Sequence, residues 1–358
     1  MIAAFRAGGH TVAVVEPERV DALTPSRGKQ LMPKLLYELL ECGYSAVEFL
    51  QLVRAIWKTR PDAIYERANI YMLSGLWAAR LFSLPLLLEV NAPLADEREK
   101  FGGLAMPRLA RWSEAAAWRG ADRVLPVTAV LASYVERSDV PKSRIVVTPN
   151  GVDQRRFSVD GNAAVVSLPF GAHGGAVLGF VGYIREWHGL PHIVDLMAAD
   201  DTLTNARLLV VGDGPGRSAL EQRAAARGIS ERVHVTGIVE RDKLASYIRT
   251  FDVALQPEVT PYASPLKLFE YMALGRAIVA PDAENIREVL TDNEDGLLFE
   301  PDNTRALGTA VRQLVADGDL RRRLGTAAAA KIAARDLTWR HNAESAARLI
   351  RELRGETR

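Results

Sequence analysis

The sequence predicts an α/β protein of two doubly wound, Rossmann-like domains, each with a parallel sheet covered by helices. Three observations predict this class. Short runs rich in Val, Ile and Leu, without polar alternation, indicate strands that are buried on both faces. Longer amphipathic segments separate these runs, which is typical of strand–helix–strand units with right-handed crossovers. At 358 residues, the chain has the length of two or three domains.

The first series of strands occupies the N-terminal part of the chain. Strands are predicted at Val12–Val15, Ala63–Tyr65, Leu86–Val90, Val124–Val127 and Ile145–Val147. A helix is predicted at Ile70–Phe82. The series stops in residues 158–176, which contain Pro169 and four glycines and show little periodicity. We interpret 158–176 as a linker between a first domain, 1–157, and a second domain, 177–335.

The second series of strands is followed by helices alone. Strands are predicted at Val177–Val181, Leu208–Val211, Val233–Thr236, Val253–Leu255, Ala277–Ala280 and Gly296–Phe299. Helices are predicted at Arg217–Arg227, Ser264–Leu274, Thr304–Ala316, Leu320–Ala334 and Trp339–Leu353. In doubly wound domains, ligands bind beyond the carboxyl ends of the strands, so we expect a ligand in a cleft between two such domains.

Composition excludes several classes of protein. Lys plus Arg number 45 and Asp plus Glu 44, which argues against nucleic-acid binding by bulk charge. The single cysteine, Cys42, excludes a disulfide framework or a Cys-rich zinc site and fits a reducing cytosol. No apolar run is long enough to span a membrane, and Arg6 and His10 interrupt any apolar core of a signal peptide. The arginines and tryptophans of Pro107–Arg123 fit either contact with an anionic membrane surface or a solvated helix face.

The segment Ser264–Gly275 carries the most informative chemistry. Ser264 is a good N-cap and Pro265 a good first helical residue. Lys267 then lies in the first turn, where the helix dipole disfavours a cation unless an anion such as a phosphate binds there. Glu270 lies one turn further on the same face, and its carboxylate can accept from both hydroxyls of a ribose. A surface ion pair explains the same spacing, and these residues alone do not decide between the two readings.

Three further segments have weaker signals. In Gly179–Gly189, which follows a buried strand, Arg185 and His188 have the donors to bind a diphosphate. His188 and His192 have the spacing of a metal pair, but the glycine and proline between them argue against one continuous helix. Gly212-Asp213-Gly214-Pro215-Gly216 resembles a dinucleotide fingerprint, although Arg217 replaces its last glycine. Asp317-Gly318-Asp319 looks like a metal motif but does not follow a strand, which favours a helix-start turn.

Several segments match one known family in the order in which that family carries them. They are Gly9–Val12, Leu88–Leu94, Thr148–Asp153 with Phe157, Gly182–Gly189, Val211–Pro215, Val235–Val239 and Ser264–Gly275. From about Gly8 to Phe299, the chain resembles the family 4 retaining glycosyltransferases, which have the two-domain GT-B fold. The Ser-Pro-x-Lys start of its donor segment resembles a polysaccharide-type subgroup.

The resemblance implies transfer of a sugar from a nucleotide diphosphate sugar to a hydroxyl acceptor, with retention at the anomeric carbon. It implies no metal ion and no other cofactor, and catalytic roles for Arg185, Lys267 and Glu270. The further donor-binding residues that it implies are Gly182, His188, Gly212, Gly214, Gly237, Ile238, Val239, Ser264, Pro265 and Leu266. Glu89 and Asn91 would face the sugar or the acceptor.

The resemblance also implies a biological setting. The acceptor would be a carbohydrate or a lipid-linked molecule, in the synthesis of a cell-surface polysaccharide or glycoconjugate. The protein would be cytoplasmic, with peripheral contact to the inner face of the membrane and no nucleic-acid partner. The closing segment, 336–358, would pack back on the first domain.

Two features depart from the family pattern. The family has a glutamate eight positions before Glu270, where this chain has Tyr262, so no first glutamate is assigned. The family also opens with a strand and a glycine-rich loop ahead of Gly8-Gly9-His10, whereas only seven residues, Met1–Ala7, stand there. About 20–30 residues are thereby absent by usual strand and loop lengths. We therefore expect that Met1 is not the natural start and that an upstream extension encodes the missing strand.

Three alternatives to a transferase stay open. A non-catalytic partner subunit of the same architecture would keep the donor domain without turnover. A nucleotide-sugar epimerase would need a cluster of carboxylates and histidine for proton transfer, which the motifs do not supply. An NAD oxidoreductase is disfavoured by Arg217 in the fingerprint.

Overall fold

The computed structural model describes residues 1–15, 33–159 and 175–355, together with residues 161, 166, 168 and 170. The chain divides into two compact units. The first comprises Met1–Pro149 and Arg340–Arg358, and the second comprises Asn150–Trp339. Most of the segment that we interpreted as a linker, 158–176, lies outside the described residues.

The first unit contains a parallel sheet of three strands in the order β1-β2-β3. Its strands are β1 (Ile64–Arg67), β2 (Leu86–Val90) and β3 (Arg123–Pro126). Its helices are α1 (Ile2–Ala7), α2 (Lys34–Thr59), α3 (Ser74–Phe82), α4 (Leu94–Phe101), α5 (Pro107–Gly120) and α6 (Ala129–Glu136). β2 lies in the middle, and its residues 86–88 and 90 are at most 2% exposed, as expected for a strand covered on both faces.

The last helix, α14 (Trp339–Leu353), belongs to the first unit from Arg340 onward. Its small residues Ala343, Ala346 and Ala347 lie in one buried cluster with Phe5, Leu87 and Leu125. The side-chain amide of Asn342 donates to the backbone carbonyl of Pro149, at 2.7 Å. The helix thus buries its apolar stripe against β2, β3 and α1.

The second unit contains a parallel sheet of six strands in the order β6-β5-β4-β7-β8-β9. Its strands are β4 (Val177–Val181), β5 (Arg207–Val211), β6 (Val233–Val235), β7 (Val253–Leu255), β8 (Ala277–Pro281) and β9 (Leu297–Phe299). Its helices are α7 (Leu190–Ala199), α8 (Arg217–Ala226), α9 (Arg241–Arg249), α10 (Leu266–Ala273), α11 (Glu284–Arg287), α12 (Thr304–Ala316) and α13 (Gly318–Ala334). Two apolar clusters, one on each face, bury the sheet, which confirms the predicted doubly wound class.

Two strand predictions in the first unit are wrong. Val12–Val15 is described but forms no strand, because no strand among the described residues lies beside it to share backbone hydrogen bonds. Ile145–Val147 is likewise not a full strand. It makes one bridge, from Ile145 to Val124, and the amide of Val146 donates to the carbonyl of Val124 at 2.9 Å.

The helix predicted at Ile70–Phe82 begins only at Ser74. The backbone of Tyr71 is left-handed, with φ 64°, which a continuous helix cannot contain. Side chains from two other helices hold this turn: Ser113 Oγ accepts from the amide of Tyr71, and Ser45 Oγ accepts from the amide of Leu73, each at 3.0 Å. These partners are distant in sequence, so the local pattern predicts too long a helix.

Candidate functional site

Three glycine-rich turns meet where β4, β5 and β6 of the second unit end. The amide of Gly182, after β4, donates to the carbonyl of Val211 at 3.0 Å, and the amide of Ile184 donates to the carbonyl of Asp213 at 2.8 Å. Gly212 pairs with Gly237 in an antiparallel bridge. The backbones of the three turns therefore form one continuous surface at the carboxyl edge of the sheet.

Gly212 and Gly214 are required by this close backbone approach. A Cβ atom at Gly212 would lie 2.1 Å from the carbonyl oxygen of Gly182, and its φ of 144° is one that other residues rarely adopt. A Cβ atom at Gly214 would lie 2.2 Å from the carbonyl oxygen of Ile184. Gly212 and Gly214 therefore allow one turn to pack closely against the next. The presence of Arg217 in place of the last glycine of the dinucleotide fingerprint does not affect this packing.

The start of α10 lies beside the turn after β4, and it differs from the sequence prediction. Ser264 is not the N-cap. Helix α10 begins at Leu266 with Pro265 as N-cap and no side-chain cap. Ser264 Oγ instead accepts from the amide of Asn150 at 3.3 Å, and Asn150 Nδ2 donates to the carbonyl of Ser264 at 2.7 Å. The amides of the first turn are therefore not satisfied by Ser264.

Lys267 lies in the first turn of α10, with its ammonium group inside the site. Its Nζ atom lies 3.7 Å from the centroid of the Phe180 ring, a cation–π contact. A Cβ atom on Gly182 would lie 3.4 Å from the same Nζ. Burial lowers the pKa of Lys267 to about 7, although Glu270 opposes the shift. Among the described residues, no carboxylate forms an ion pair with Lys267, so its ammonium form is stabilised there by the Phe180 ring and by the more distant Glu270.

Arg185 and His188 lie on the turn that follows Gly182. Arg185 is exposed, and its guanidinium lies over the rings of Tyr183 and Trp187, at 4.9 and 5.0 Å from their centroids. The amide of Arg185 donates to Nδ1 of His188 at 3.3 Å. Burial, together with the charges of Lys267 and Arg185, lowers the pKa of His188 to about 4. His188 is therefore a neutral imidazole at pH 7, and its Nε2 carries the proton.

Glu270 is buried, at 5% exposure, and sequence reasoning missed its partner. Arg241, the first residue of α9, donates from Nη2 to Oε1 of Glu270 at 2.8 Å. Burial raises the pKa of Glu270, while Arg241 lowers it. The hydroxyl of Tyr271 accepts from the amide of Val181 at 2.8 Å, which fixes α10 to the end of β4. Arg241 stands 29 residues from Glu270, and no local pattern links the two.

The turn after β6 contains the three residues expected to hold a base. Gly237 is left-handed, with φ 74°. Ile238 is 90% exposed, whereas Val239 packs against the core of the unit. Thr236 Oγ1 accepts from the amide of Gly212 at 3.3 Å, so this turn is attached to the turn after β5.

Glu89 and Asn91 lie in the first unit, at the carboxyl end of β2. Glu89 Oε2 accepts from the hydroxyl of Tyr65, and Glu89 Oε1 accepts from the side-chain amide of Asn91, each at 2.7 Å. Both carboxylate oxygens of Glu89 are therefore bonded within the protein. Glu89 and Asn91 belong to the first unit, whereas Lys267, Glu270 and the three glycine-rich turns belong to the second.

The structure shows the surroundings of two further segments, Asp317-Gly318-Asp319 and Pro107–Arg123. Asp317 Oδ1 accepts from the amide of Leu320 at 2.8 Å, which confirms Asp317 as the start of a helix. Trp118 of α5 is buried, and the guanidinium of Arg111 pairs with Asp96 and Glu99. Only part of Pro107–Arg123 is thus available to a membrane surface. Among the described residues, no group of His, Cys, Asp and Glu could hold a metal ion, and no helix is long and apolar enough to cross a membrane.

Comparison with known protein families covers both units. Residues 1–151 match the family Glycosyl transferase 4-like domain, and residues 171–331 match the family Glycosyl transferases group 1. Each unit therefore matches a glycosyltransferase domain family over most of its length. Solved structures show the GT-B fold that the two units share.

Two solved structures illustrate the shared fold. Anabaena HepE in complex with UDP-glucose has a TM-score of 0.71 at 17% identity, over 98% of this chain and 88% of that chain. Sucrose-phosphate synthase from Thermosynechococcus elongatus has a TM-score of 0.72 at 20% identity, over 88% and 79% of the two chains. At these identities the likeness establishes the fold, and it confirms the predicted GT-B architecture of two parallel-sheet domains.

The curated relatives transfer several different sugars. Alpha-D-kanosaminyltransferase from Streptomyces kanamyceticus is 25% identical over 68% of this chain and 64% of its own length. GDP-mannose-dependent alpha-mannosyltransferase from Mycobacterium tuberculosis is 26% identical over 82% and 76%. D-inositol 3-phosphate glycosyltransferase from Geodermatophilus obscurus is 30% identical over 70% and 59%. The chain thus spans less than two thirds of the length of the first and the third of these relatives.

Proposed function

We propose that the protein transfers a sugar from a nucleotide diphosphate sugar to a hydroxyl group, and that the second unit binds the donor. The observation that carries this proposal is the ammonium group of Lys267. It is half-buried at the start of a helix whose first-turn amides Ser264 does not cap, and among the described residues it forms no ion pair. A diphosphate would supply the missing negative charge and would accept from the helix amides.

Charge stabilisation is the chemistry that this site offers. The leaving diphosphate gains negative charge as the glycosidic bond breaks. Lys267 and Arg185 would stabilise that charge, and His188 would donate from Nε2, since its Nδ1 already accepts from Arg185. Because the cations come from side chains, we propose that transfer needs no metal ion.

The rest of the donor would lie along the same edge of the sheet. Glu270 would accept from the ribose hydroxyls with the lone pairs that Arg241 leaves free. Backbone groups of Gly237, Ile238 and Val239 would hold the base. Gly182, Gly212 and Gly214 would let the diphosphate approach the backbone of the turns, and Pro265 and Leu266 would present the amides of the first turn of α10.

The finer parts of the proposal rest on the family resemblance. They are retention at the anomeric carbon, passage of the acceptor proton to a donor phosphate oxygen, and an acceptor that is a carbohydrate or a lipid-linked molecule. Glu89 and Asn91 would face the sugar or acceptor, with Glu89 using the lone pairs that Tyr65 and Asn91 do not occupy. We also propose peripheral contact with the cytoplasmic face of a membrane.

The test is calorimetric titration of the full chain with UDP, GDP, ADP and dTDP, at pH 8 and in excess chelator. We expect one of the four to bind and to cause proton uptake, because the pKa of Lys267 is about 7 in the free protein and a bound diphosphate would raise it. Repeating the titration in buffers of different ionisation enthalpy counts the protons. Absence of binding by all four nucleotides, or binding only after magnesium is restored, would contradict the proposal.

Turnover separates the transferase from its alternatives. A transferase releases the nucleoside diphosphate from the sugar donor, whereas a partner subunit binds the donor without turnover. An epimerase converts the sugar without releasing the nucleotide. Product analysis by chromatography after incubation with donor and acceptor therefore assigns the chain to one of the three.

A further inference from the structure

Helix α2 of the first unit exposes its apolar face and buries its polar face, the opposite of an ordinary surface helix. Its outward face is apolar from Leu35 to Leu50, and Trp57 follows on the same side near the end of the helix. Leu50 is 62% exposed and Trp57 72% exposed. The exposed apolar residues of α2 are Leu35, Leu36, Leu39, Leu40, Val47, Leu50 and Trp57. Most of them recur at intervals of three and four residues, so they form one stripe along the helix, about 32 Å long from Leu36 to Trp57 at 1.5 Å per residue.

The inward face of α2 is polar, and its hydrogen bonds fix the rotation of the helix. Glu38 accepts from the hydroxyl of Tyr71, at 2.8 Å, and from the amides of Ala105 and Met106. Further along the helix, Ser45 Oγ accepts from the backbone amide of Leu73. One turn later, the carboxylate of Glu48 accepts from the hydroxyl of Ser74. Turning the leucines inward would leave these buried carboxylates without donors, so the apolar stripe is held outward.

The acidic and basic residues of α2 lie in different environments. Glu38 and Glu48 are buried, and Glu41 forms an ion pair with Arg98, at 2.7 Å. The exposed charged residues of the helix and of the residue that follows it are all basic: Lys34, Arg54, Lys58 and Arg60. Between Leu35 and Leu50 the exposed face carries no charge at all. Lys34 lies on the other side of the helix and donates to the carbonyl of Gly102 at 3.1 Å. The stripe is thus apolar over most of its length and cationic at its C-terminal end.

Helix α3 widens the apolar surface. Trp77 is 42% exposed, Leu81 follows it one turn later, and the ring of Trp77 packs edge-on against Phe49 of α2. Among the described residues of the first unit, none covers the stripe of α2. Contiguous exposed apolar surface of this extent marks an interaction site in a folded protein.

We propose that α2 lies in the interface of a lipid bilayer that carries anionic headgroups. The leucines would enter the boundary between headgroups and acyl chains, Trp57 would lie at headgroup level, and Arg54, Lys58 and Arg60 would contact lipid phosphates. A second copy of the chain fits less well, because the exposed face of its α2 carries no carboxylate that could pair with these cations. The inference names a surface for the membrane contact proposed above, and it does not depend on the donor site.

The experiment is flotation of the full chain with vesicles of phosphatidylcholine alone and with one quarter phosphatidylglycerol. We expect binding to the anionic vesicles, reduced at least tenfold in the double variant Leu39→Gln/Leu50→Gln and reduced by salt in the wild type. The matched control is Val147→Gln, which removes an exposed apolar side chain of the first unit outside α2, α3 and Pro107–Arg123 and should change binding less than twofold.

Two results would overturn the inference. One is vesicle binding by the double variant equal to that of the wild type. The other is self-association of the wild type without vesicles that the double variant abolishes, which would assign the stripe to a second copy. If the double variant does not fold, quenching of wild-type fluorescence by brominated lipid, reduced in Trp57→Phe, decides the question. Calorimetric nucleotide binding without vesicles keeps failure here distinct from failure of the proposed function.

Discussion

Two charged groups, Glu89 in the first unit and Lys267 in the second, lie in very different environments. Glu89 accepts one hydrogen bond on each oxygen, from Tyr65 and from Asn91. Lys267 is half-buried beside an aromatic ring and forms no ion pair among the described residues. Both were expected to contact substrate, but within the described part of the chain Glu89 has hydrogen-bond partners and Lys267 has no ion-pair partner.

The difference indicates how a ligand site is recognised without its ligand. A charge that the protein satisfies lowers the free energy of the folded state and does not require a ligand. A buried charge without a counter-ion raises the free energy of the folded state, and such a cost is typical of binding sites. Glu270 is intermediate, because Arg241 satisfies one of its oxygens.

The largest effect expected is on Lys267. The variant Lys267→Met should bind the preferred nucleoside diphosphate about 100-fold more weakly, which corresponds to ~2.7 kcal/mol, because it loses a charge-assisted bond to phosphate. The free variant should be at least as stable as the wild type, since methionine removes the half-buried cation. Calorimetry measures the affinity and thermal unfolding the stability.

The matched control for this prediction is Lys243→Met. Lys243 is exposed and pairs with Glu240, with Nζ and Oε2 2.9 Å apart. Its replacement should leave the affinity within twofold of the wild type. Equal affinities in Lys267→Met and Lys243→Met would remove Lys267 from the donor site.

A smaller effect is expected from Arg241, as a positioning residue for Glu270. In Arg241→Ala the carboxylate loses its ion-pair partner, and we expect about tenfold weaker binding of the nucleoside diphosphate. Binding of inorganic pyrophosphate should not change, because Glu270 is proposed to hold only the ribose. The control is Arg227→Ala, since Arg227 is also half-exposed and ion-paired, with Asp195. Equal losses for pyrophosphate and nucleotide would indicate a general charge effect instead.

The pH dependence of stability sharpens the same comparison. The folded-state pKa of Lys267, about 7, lies below the unfolded value of about 10.4. Between these two values the unfolded chain binds more protons, so the contribution of Lys267 makes stability rise with pH. Below pH 7 both states are protonated and the full cost is present. Lys267→Met should therefore unfold a few degrees above the wild type at pH 6.5, and the gap should close towards pH 10. A constant gap in melting temperature would contradict this assignment.

The sequence determines those features that depend on neighbouring residues. The strands of the second unit appear as short apolar runs, and those at Val177–Val181 and Val253–Leu255 have the predicted bounds. The segment Ser264–Gly275 was singled out because Lys267 and Glu270, which are proposed to bind the donor, lie within one helix. Features that depend on distant partners were not predicted. Ser264 Oγ accepts from the amide of Asn150 and does not cap α10. Arg241, on helix α9, donates to the carboxylate of Glu270.

Helix α2, with its apolar face exposed, and the start of α3 show the same limit. The leucines of α2 predict an amphipathic helix, but only the bonds of Glu38 to Tyr71 and to the backbone near residue 105 show which face is outward. Likewise, Ser113 and Ser45 hold the turn before α3 across long sequence separations. Periodicity gives the apolar face of a helix, and tertiary hydrogen bonds decide where that face points.

The smallest effect is expected from Glu89, the satisfied member of the comparison. In Glu89→Gln one carboxylate oxygen becomes an amide group, which donates and no longer accepts. The hydroxyl of Tyr65 can reverse and accept from that group, but the charge that strengthens both hydrogen bonds is lost, which costs about 1 kcal/mol and lowers the melting temperature by roughly 2–4 °C. Nucleoside diphosphate affinity should stay within twofold of the wild type, because the site proposed for the donor lies in the second unit. Calorimetry and thermal unfolding of the one variant measure both quantities. If nucleotide affinity falls tenfold while stability is unchanged, the carboxylate of Glu89 serves the donor, and bonding within the protein does not distinguish structural charges from functional ones.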